Sequence, residues 1–237
     1  MRFLYVLIFA FSALPSLAQD TELNSVPADS LAIVPDPLYR EDQFYISFAY
    51  NLLQSSPKGF SQNALPLNLT VGFLRDMPLN AARTHAVALG LGYSFTNLKQ
   101  NLLITEDAGT RTYEVEQEGN FENNKLVLHY VEVPLEFRWR NSDSISHKFW
   151  RIYAGVKVSY LFADKSQYEL AGTKFKVKGN DDLNRIAYGV YLAIGWNTWN
   201  FYANYGITPL FDKAILFETQ EKVKLNSLNL GVMFYIL

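Results

Sequence analysis

The stretch GWNTWNFY, residues 195–202, decides the fold. Trp196 and Trp199 stand on either side of the two residues Asn197 and Thr198, and the segments before and after this pair alternate apolar and polar side chains. Alternation with a period of two is typical of strands with two different faces, and a two-residue connection is typical of a hairpin. Both indoles are therefore expected at the same depth in a membrane. Trp and Tyr side chains concentrate in this way at membrane–water boundaries.

The same alternation recurs along the chain and predicts eight strands. One face of each carries Phe, Tyr, Val, Ile and Leu, and the other mixes glycines with charged and small polar residues. Glycines and charges suit the crowded polar lumen of a small barrel, with the apolar face turned to lipid. The pattern predicts an all-β fold, an eight-stranded antiparallel transmembrane β-barrel of the outer membrane, with strands near residues 44–53, 65–74, 85–95, 130–139, 150–160, 185–196, 199–208 and 228–236.

A soluble periplasmic barrel that binds a ligand is the alternative, and it would turn its apolar face inward. The connection lengths favour the membrane barrel, because such barrels have short periplasmic turns and longer outer loops. They predict a periplasmic N-terminus, with outer loops at 54–64, 96–125, 162–183 and 209–226 and inner turns at 75–84, 140–148 and 197–198. A second pair of tryptophans flanks the turn at 140–148, so the four predict a single girdle at the inner membrane boundary: Trp139, Trp150, Trp196 and Trp199.

The N-terminal region has a different composition from the barrel. Residues 1–18 combine a basic Arg2, an apolar stretch and small residues near the end, which is typical of a cleaved signal peptide. Residues 19–43 are polar and contain three prolines, which predicts a periplasmic leader before a barrel domain at 44–237. The chain has no cysteine, and its net charge of -2 argues against nucleic acid as a partner.

Charged residues in the lumen-facing phase are the main candidates for site residues. The lumen of an eight-stranded barrel has room only for side chains, so buried charges should pair across neighbouring strands rather than line an ion pathway. The predicted lumen charge network is Glu132, Glu136, Arg138, Arg151, Lys157 and Arg185.

The sequence offers no arrangement that favours catalysis. His85 and His129 fall in the lipid-side phase and His147 lies in an inner turn, and none has a spacing that would place it beside a nucleophile or a carboxylate. Metal-ligand spacing is also lacking. We therefore expect no enzymatic activity, no cofactor and no metal.

Several stretches resemble the PorT (also called SprT) outer-membrane barrels of the type IX secretion system. The most specific is GWNTWNFYANYGITPLFDK at 195–213, followed by the closing LNLGVMFYIL at 228–237. The stretches YVEVPLEFRW at 130–139 and YAGVKVSYLF at 153–162 are similar to a wider group of small barrels. The resemblance implies a non-enzymatic integral outer-membrane protein that is required for protein secretion, and for gliding motility where present, together with other type IX secretion components.

The closing strand also resembles the signal that barrel-assembly machinery recognises, in the positions Asn229, Gly231, Phe234 and Ile236. It departs from that signal by one extra residue, Leu237, and by the lack of a terminal aromatic residue. The expected partners are outer-membrane lipid, the assembly machinery and secretion components. A small outer-membrane pore or enzyme on the same barrel, or a generic barrel, remains the alternative function.

Overall fold

The computed structural model describes residues 42–62, 65–80, 82–117, 121–141, 150–196 and 198–236. The predicted signal peptide and all but the last two residues of the predicted leader lie outside these ranges. No helix among the described residues is long and apolar enough to cross a membrane. The strands are β1 Gln43–Gln54, β2 Leu67–Pro78, β3 His85–Lys99, β4 Leu102–Asp107, β5 Thr110–Val115, β6 Asn123–Arg140, β7 Trp150–Leu170, β8 Thr173–Lys178, β9 Ile186–Trp196, β10 Trp199–Gly206 and β11 Asn226–Ile236.

Eight of these strands close into a barrel. Each pairs antiparallel with its neighbours in the order β1-β2-β3-β6-β7-β9-β10-β11, and β11 returns to pair with β1. Phe44 stands opposite Ile236 at one end of this closing pair, and Gln54 stands opposite Asn226 at the other. The predicted eight-stranded antiparallel barrel is confirmed.

The two faces of the barrel wall are inverted relative to a soluble protein. Along β6, Glu132 and Glu136 are buried in the lumen, whereas Val133 and Phe137 between and beyond them are 44% and 51% exposed on the exterior. Strands that alternate in this way place polar side chains in the lumen and apolar side chains against lipid. The wall therefore presents a continuous apolar band outward.

Two strands are much longer than a bilayer requires. β6 has 18 residues and β7 has 21, and a membrane strand needs about 9–11. Their extra residues lie at the end of the barrel that carries the long connections, which we call the loop end; the opposite end is the turn end. At the loop end β7 pairs with β8, and β4 pairs with β5 in a separate hairpin. The predicted loops at 96–125 and 162–183 are thus partly strands.

One turn is shorter than predicted. β2 continues to Pro78, so the connection to β3 spans 79–84 rather than 75–84. Arg75 and Asp76 consequently belong to the strand, and the side chain of Asp76 is directed into the lumen, where it is fully buried.

The loop end is covered by a hydrophobic core of its own, which we call the loop-end cap. It unites side chains from the long strands with the hairpin β4–β5, with β8 and with the segment 207–225, and short bridges join Tyr113 to Leu216 and Leu183 to Phe211. Its most deeply buried members are Leu98, Leu102, Ile104, Tyr113, Leu126, Leu128, Leu161, Leu183, Phe211, Ala214, Val223 and Leu225.

Candidate functional site

The lumen near the turn end contains a buried ionic cluster. Asp76 accepts hydrogen bonds from Arg138 at 2.8 Å and from both terminal nitrogens of Arg140 at 2.9 and 2.8 Å. Nε of Arg138 also donates to Glu136 at 2.8 Å. All four side chains are completely or almost completely buried. The phase of β6 explains their meeting, because every second residue from Glu132 to Arg140 faces the lumen.

Tyrosines extend this cluster across the lumen. Tyr191 of β9 and Tyr235 of β11 both donate to Oε1 of Glu136, at 2.9 and 3.1 Å. The guanidinium of Arg138 lies 4.8 Å from the ring centre of Tyr153. Strands on opposite sides of the barrel are thereby joined through one carboxylate, and their side chains occupy the lumen at this height.

A second ionic layer lies further from the turn end. Nζ of Lys157 donates to both carboxylate oxygens of Glu132 at 3.1 Å, between the neighbouring strands β6 and β7. Ser159 donates to the same carboxylate at 3.3 Å, and Lys157 also lies 3.4 Å from the hydroxyl of Tyr202. A buried charge pair with these additional hydrogen bonds is satisfied without bulk water.

Five of the six predicted network residues lie in the buried lumen. Glu132 with Lys157, and Glu136 with Arg138, form the pairs described above, and Arg151 is 3% exposed, with its guanidinium 5.6 Å from the ring centre of Tyr235. Arg185 must be corrected. It precedes β9 at the loop end, its side chain is 38% exposed, and it pairs with Asp164 and Asp181 rather than with the lumen charges.

Sequence reasoning missed Asp76 and Arg140, which complete the ionic cluster. The apolar alternation ends before both residues and therefore predicts turns at their positions. The lumen phase nevertheless reaches both positions: Arg140 is two residues after Arg138, and Asp76 is two residues after the buried Leu74. Extending the lumen-facing alternation beyond the last apolar residue of each strand identifies both Asp76 and Arg140.

The lumen face of β2 and β3 carries glycines, and a tyrosine of β1 covers them. Gly72 stands opposite both Tyr45 on β1 and Gly92 on β3. The ring of Tyr45 lies beside these glycines, so that a Cβ on Gly92 would clash with its hydroxyl and a Cβ on Gly72 with its ring. The two glycines are needed here because the aromatic ring occupies the volume that their side chains would fill.

Above the second ionic layer the lumen is lined by amides and hydroxyls. Asn68 donates to Ser94 at 2.9 Å and to Thr96 at 2.8 Å, and Asn51 accepts from Ser227 at 3.1 Å. They line a cavity of about 60 Å³, which has room for a few water molecules. The cavity lies between the ionic layers and the loop-end cap, so side chains fill the described lumen on both sides of it.

A buried tyrosine on β5 joins two parts of the loop-end cap. The hydroxyl of Tyr113 donates to Asp182 at 2.7 Å and lies 3.0 Å from Asn180. Burial and the hydrogen bond to the Asp182 carboxylate raise the pKa of Tyr113 well above its ordinary value. The tyrosine therefore stays neutral and joins the hairpin β4–β5 to the connection before β9.

The four tryptophans lie on the exterior of the barrel at the turn end. Trp196 stands opposite both Trp150 and Trp199, and its ring centre is 5.4 Å from that of Trp150. Trp139 is the penultimate residue of the neighbouring strand β6, and its side chain is 39% exposed. Asn197 of the turn between them lies outside the described residues.

The residues of the predicted assembly signal lie on both faces of β11. Asn229 is buried in the lumen, whereas Phe234 and Ile236 face outward. Gly231 lies between them on this strand, which pairs with β1.

The described histidines contact hydroxyl groups. His129 contacts the hydroxyl of Tyr93 at 2.7 Å on the exterior. His85 lies 3.0 Å from the hydroxyl of Thr84. His147 lies outside the described residues.

A protein family and two solved structures are similar to this chain. The model of a family described as "Outer membrane protein beta-barrel domain" matches residues 18–212. The crystal structure of Ail, the attachment invasion locus protein of Yersinia pestis, is similar with a TM-score of 0.43 and 14% identity, covering 84% of this chain and 100% of that one. Ail in complex with the heparin analogue sucrose octasulfate gives a TM-score of 0.36 and 13% identity at the same coverage. A search of the curated proteins gives no match.

Proposed function

We propose that this chain, which belongs to the outer membrane protein beta-barrel domain family, is a non-conducting interaction component of the type IX secretion system. The protein is an outer-membrane β-barrel. Its role in secretion, and in gliding where the host glides, follows from the resemblance of residues 195–213 and of the closing strand to PorT barrels. The observation that carries the non-conducting role is the filled lumen.

The filled lumen argues for interaction rather than passage. The ionic cluster around Asp76 and the pair Glu132–Lys157 occupy it in two layers, and the loop-end cap covers the mouth. The interior of an eight-stranded barrel holds side chains or a small ligand, so a folded cargo protein could not cross it. A pore on this barrel, the alternative, would require both layers and the cap to move.

The topology supports one orientation of the barrel. An even number of strands returns the chain to the side on which it began, and short turns are typical of the periplasmic side. In this orientation the loop-end cap is extracellular and the N-terminus is periplasmic. Outer-membrane lipid surrounds the apolar band, and the barrel-assembly machinery would engage the closing strand at Asn229, Gly231, Phe234 and Ile236.

The cap offers a surface for other secretion components. Phe217 and Ile215 are 65% and 43% exposed on it, although they lie outside the apolar band. Exposed aromatic side chains away from lipid are typical of protein contact surfaces. A non-enzymatic role agrees with this, since Glu132 and Lys157, and Glu136 and Arg138, form ion pairs within the lumen.

The test is deletion of the gene in its host, followed by quantification of secreted proteins by mass spectrometry. We expect loss of secreted cargo, recovery with the wild-type chain, and reduced recovery with Phe217→Ser at unchanged outer-membrane abundance. Glu218→Ser, an exposed neighbour, serves as the matched control. An unchanged secretome on deletion would contradict the secretion role, and steady single-channel conductance of the purified chain in planar bilayers would contradict the non-conducting one.

A further inference from the structure

The loop end carries four lysines that lie together on the exterior of three neighbouring strands. Lys125 of β6 stands opposite Gln167 of β7, which stands opposite Lys176 of β8. On the same strands, Lys165 stands opposite Lys178. Residues directly opposite each other in antiparallel strands point to the same face, so the four side chains share one face. We call Lys125, Lys165, Lys176 and Lys178 the lysine patch.

That face is the exterior of the barrel. Lys125 is in the same phase of β6 as Val131 and Phe137, which are exposed in the apolar band. Lys176 and Lys178 are exposed, and Lys125 and Lys165 are half-buried. The patch is therefore accessible from the side of the barrel.

The positive charge of the patch is not neutralised by the described residues. Lys174, at the tip of the hairpin, pairs with Glu169 at 3.4 Å, but no carboxylate that the structure describes forms an ion pair with the four patch lysines. Partial desolvation and the neighbouring ammonium groups of Lys176, Lys125 and Lys178 lower the pKa of Lys165. Four cations that repel one another are a favourable place for an anion with several negative charges.

The position of the patch relative to the bilayer indicates which anion it binds. Ten residues separate Trp139, at the turn end of the apolar band, from His129, which is the length that spans the bilayer core. At this height His129, Tyr93 and Phe162 form an aromatic group, with ring centres about 6 Å apart. Lys125 lies four residues beyond His129, roughly 13 Å along a strand that tilts by about 40°. Along the membrane normal this is about 10 Å, so the long side chain of a lysine at this height reaches the lipid headgroups.

We infer that the lysine patch binds the phosphate groups of the phosphorylated glycolipid of the outer leaflet. Lysine ammonium groups bind phosphate as point charges, and clustered lysines beside a membrane are typical of anionic headgroup sites. The exposed side chains of Phe162 and Tyr160, directly below the patch, lie where the acyl chains of the same lipid would begin. The site rests on the proposed orientation, because only the outer leaflet faces the loop end.

The test uses the full chain purified in detergent and phosphorylated lipid A from the host as the probe. We expect saturable binding that weakens with salt, and a loss of affinity of about tenfold or more in the double variant Lys165→Gln, Lys176→Gln. The double variant Lys213→Gln, Lys224→Gln removes the same charge from exposed positions of the cap and should bind like the wild type. Lipid A treated with phosphatase should bind poorly to all three proteins.

Three results would overturn the inference. They are equal affinity of the patch and control variants, equal binding of dephosphorylated lipid, and preferential binding of a soluble sulfated polysaccharide over lipid A. The thermal stability of the patch variant, measured in the same detergent, separates lost binding from misfolding. Binding by the purified chain does not depend on secretion, so a failed secretion phenotype and a failed lipid site are distinguishable.

Discussion

Arg140 and Asp76 form a bidentate ion pair in the lumen. The two terminal nitrogens of the arginine donate to the two oxygens of the carboxylate at 2.9 and 2.8 Å. Arg138 donates to the same carboxylate, and all three side chains are fully buried. Asp76 thus holds two cations that lie on one strand and would otherwise repel each other. We therefore expect the turn end to lose stability when this carboxylate is removed.

Asp76→Ala should lower the free energy of unfolding by about 3–5 kcal/mol, because it leaves two buried guanidinium groups without their shared partner. Unfolding in urea, with the barrel in lipid vesicles, measures this. Arg75→Ala is the control at the adjacent position, since its ion pair with Asp42 involves a side chain that is 53% exposed. That control should change stability by less than about 1 kcal/mol. Equal losses in the two variants would contradict the role of the cluster.

Gly92→Ala should destabilise the barrel by about 1–3 kcal/mol, because the added methyl group overlaps the hydroxyl of Tyr45. Tyr45→Phe removes that hydroxyl, so the same alanine should cost less in the phenylalanine background. Unfolding of the four proteins in lipid vesicles gives the coupling between the two positions. Additive losses would show that the tyrosine does not occupy the space beside Gly92.

Val190→Arg should destabilise the protein by roughly 2–4 kcal/mol, because Val190 faces lipid about six residues from the girdle at Trp196, near the bilayer midplane. Leu170→Arg is the matched control. Leu170 and Val190 are both 42% exposed, but Leu170 lies at the tip of β7, beyond the apolar band. Stability in vesicles should distinguish them, and an equal effect would contradict this placement of the membrane.

Alkaline pH should open the loop-end cap through Tyr113. Its pKa is raised in the folded protein, so its contribution to stability is complete below the unfolded pKa of about 10 and is lost as the pH rises from there towards the folded value. Hydrogen exchange of residues 102–115 should therefore accelerate above about pH 10 more steeply in the wild type than in Tyr113→Phe. At neutral pH the variant should already exchange faster, because Asp182 and Asn180 lose a buried partner. Identical pH profiles would contradict this account.

The sequence alone supports the barrel because a strand between lipid and a polar lumen must alternate at every residue. That constraint ends where the membrane ends, and beyond it the alternation no longer predicts where strands end. The hairpin β4–β5 and strand β8 fall in predicted loops, since each of these three strands has only six residues and lies inside a long connection. Asp76 and Arg140 were missed because apolar residues were used to end the strands. Arg185 was placed in the lumen because phase specifies a face but not a height.

The pairing of β1 with β11 has a consequence for biogenesis. The strand that completes the wall leaves the ribosome about 180 residues after its partner, which is among the first segments of the barrel. Until β11 arrives, β1 and β10 each expose a row of unpaired backbone groups that lipid cannot satisfy. A wall of fewer strands would therefore leave these backbone groups unpaired, so the pairing of β1 with β11 is what makes the barrel compatible with lipid.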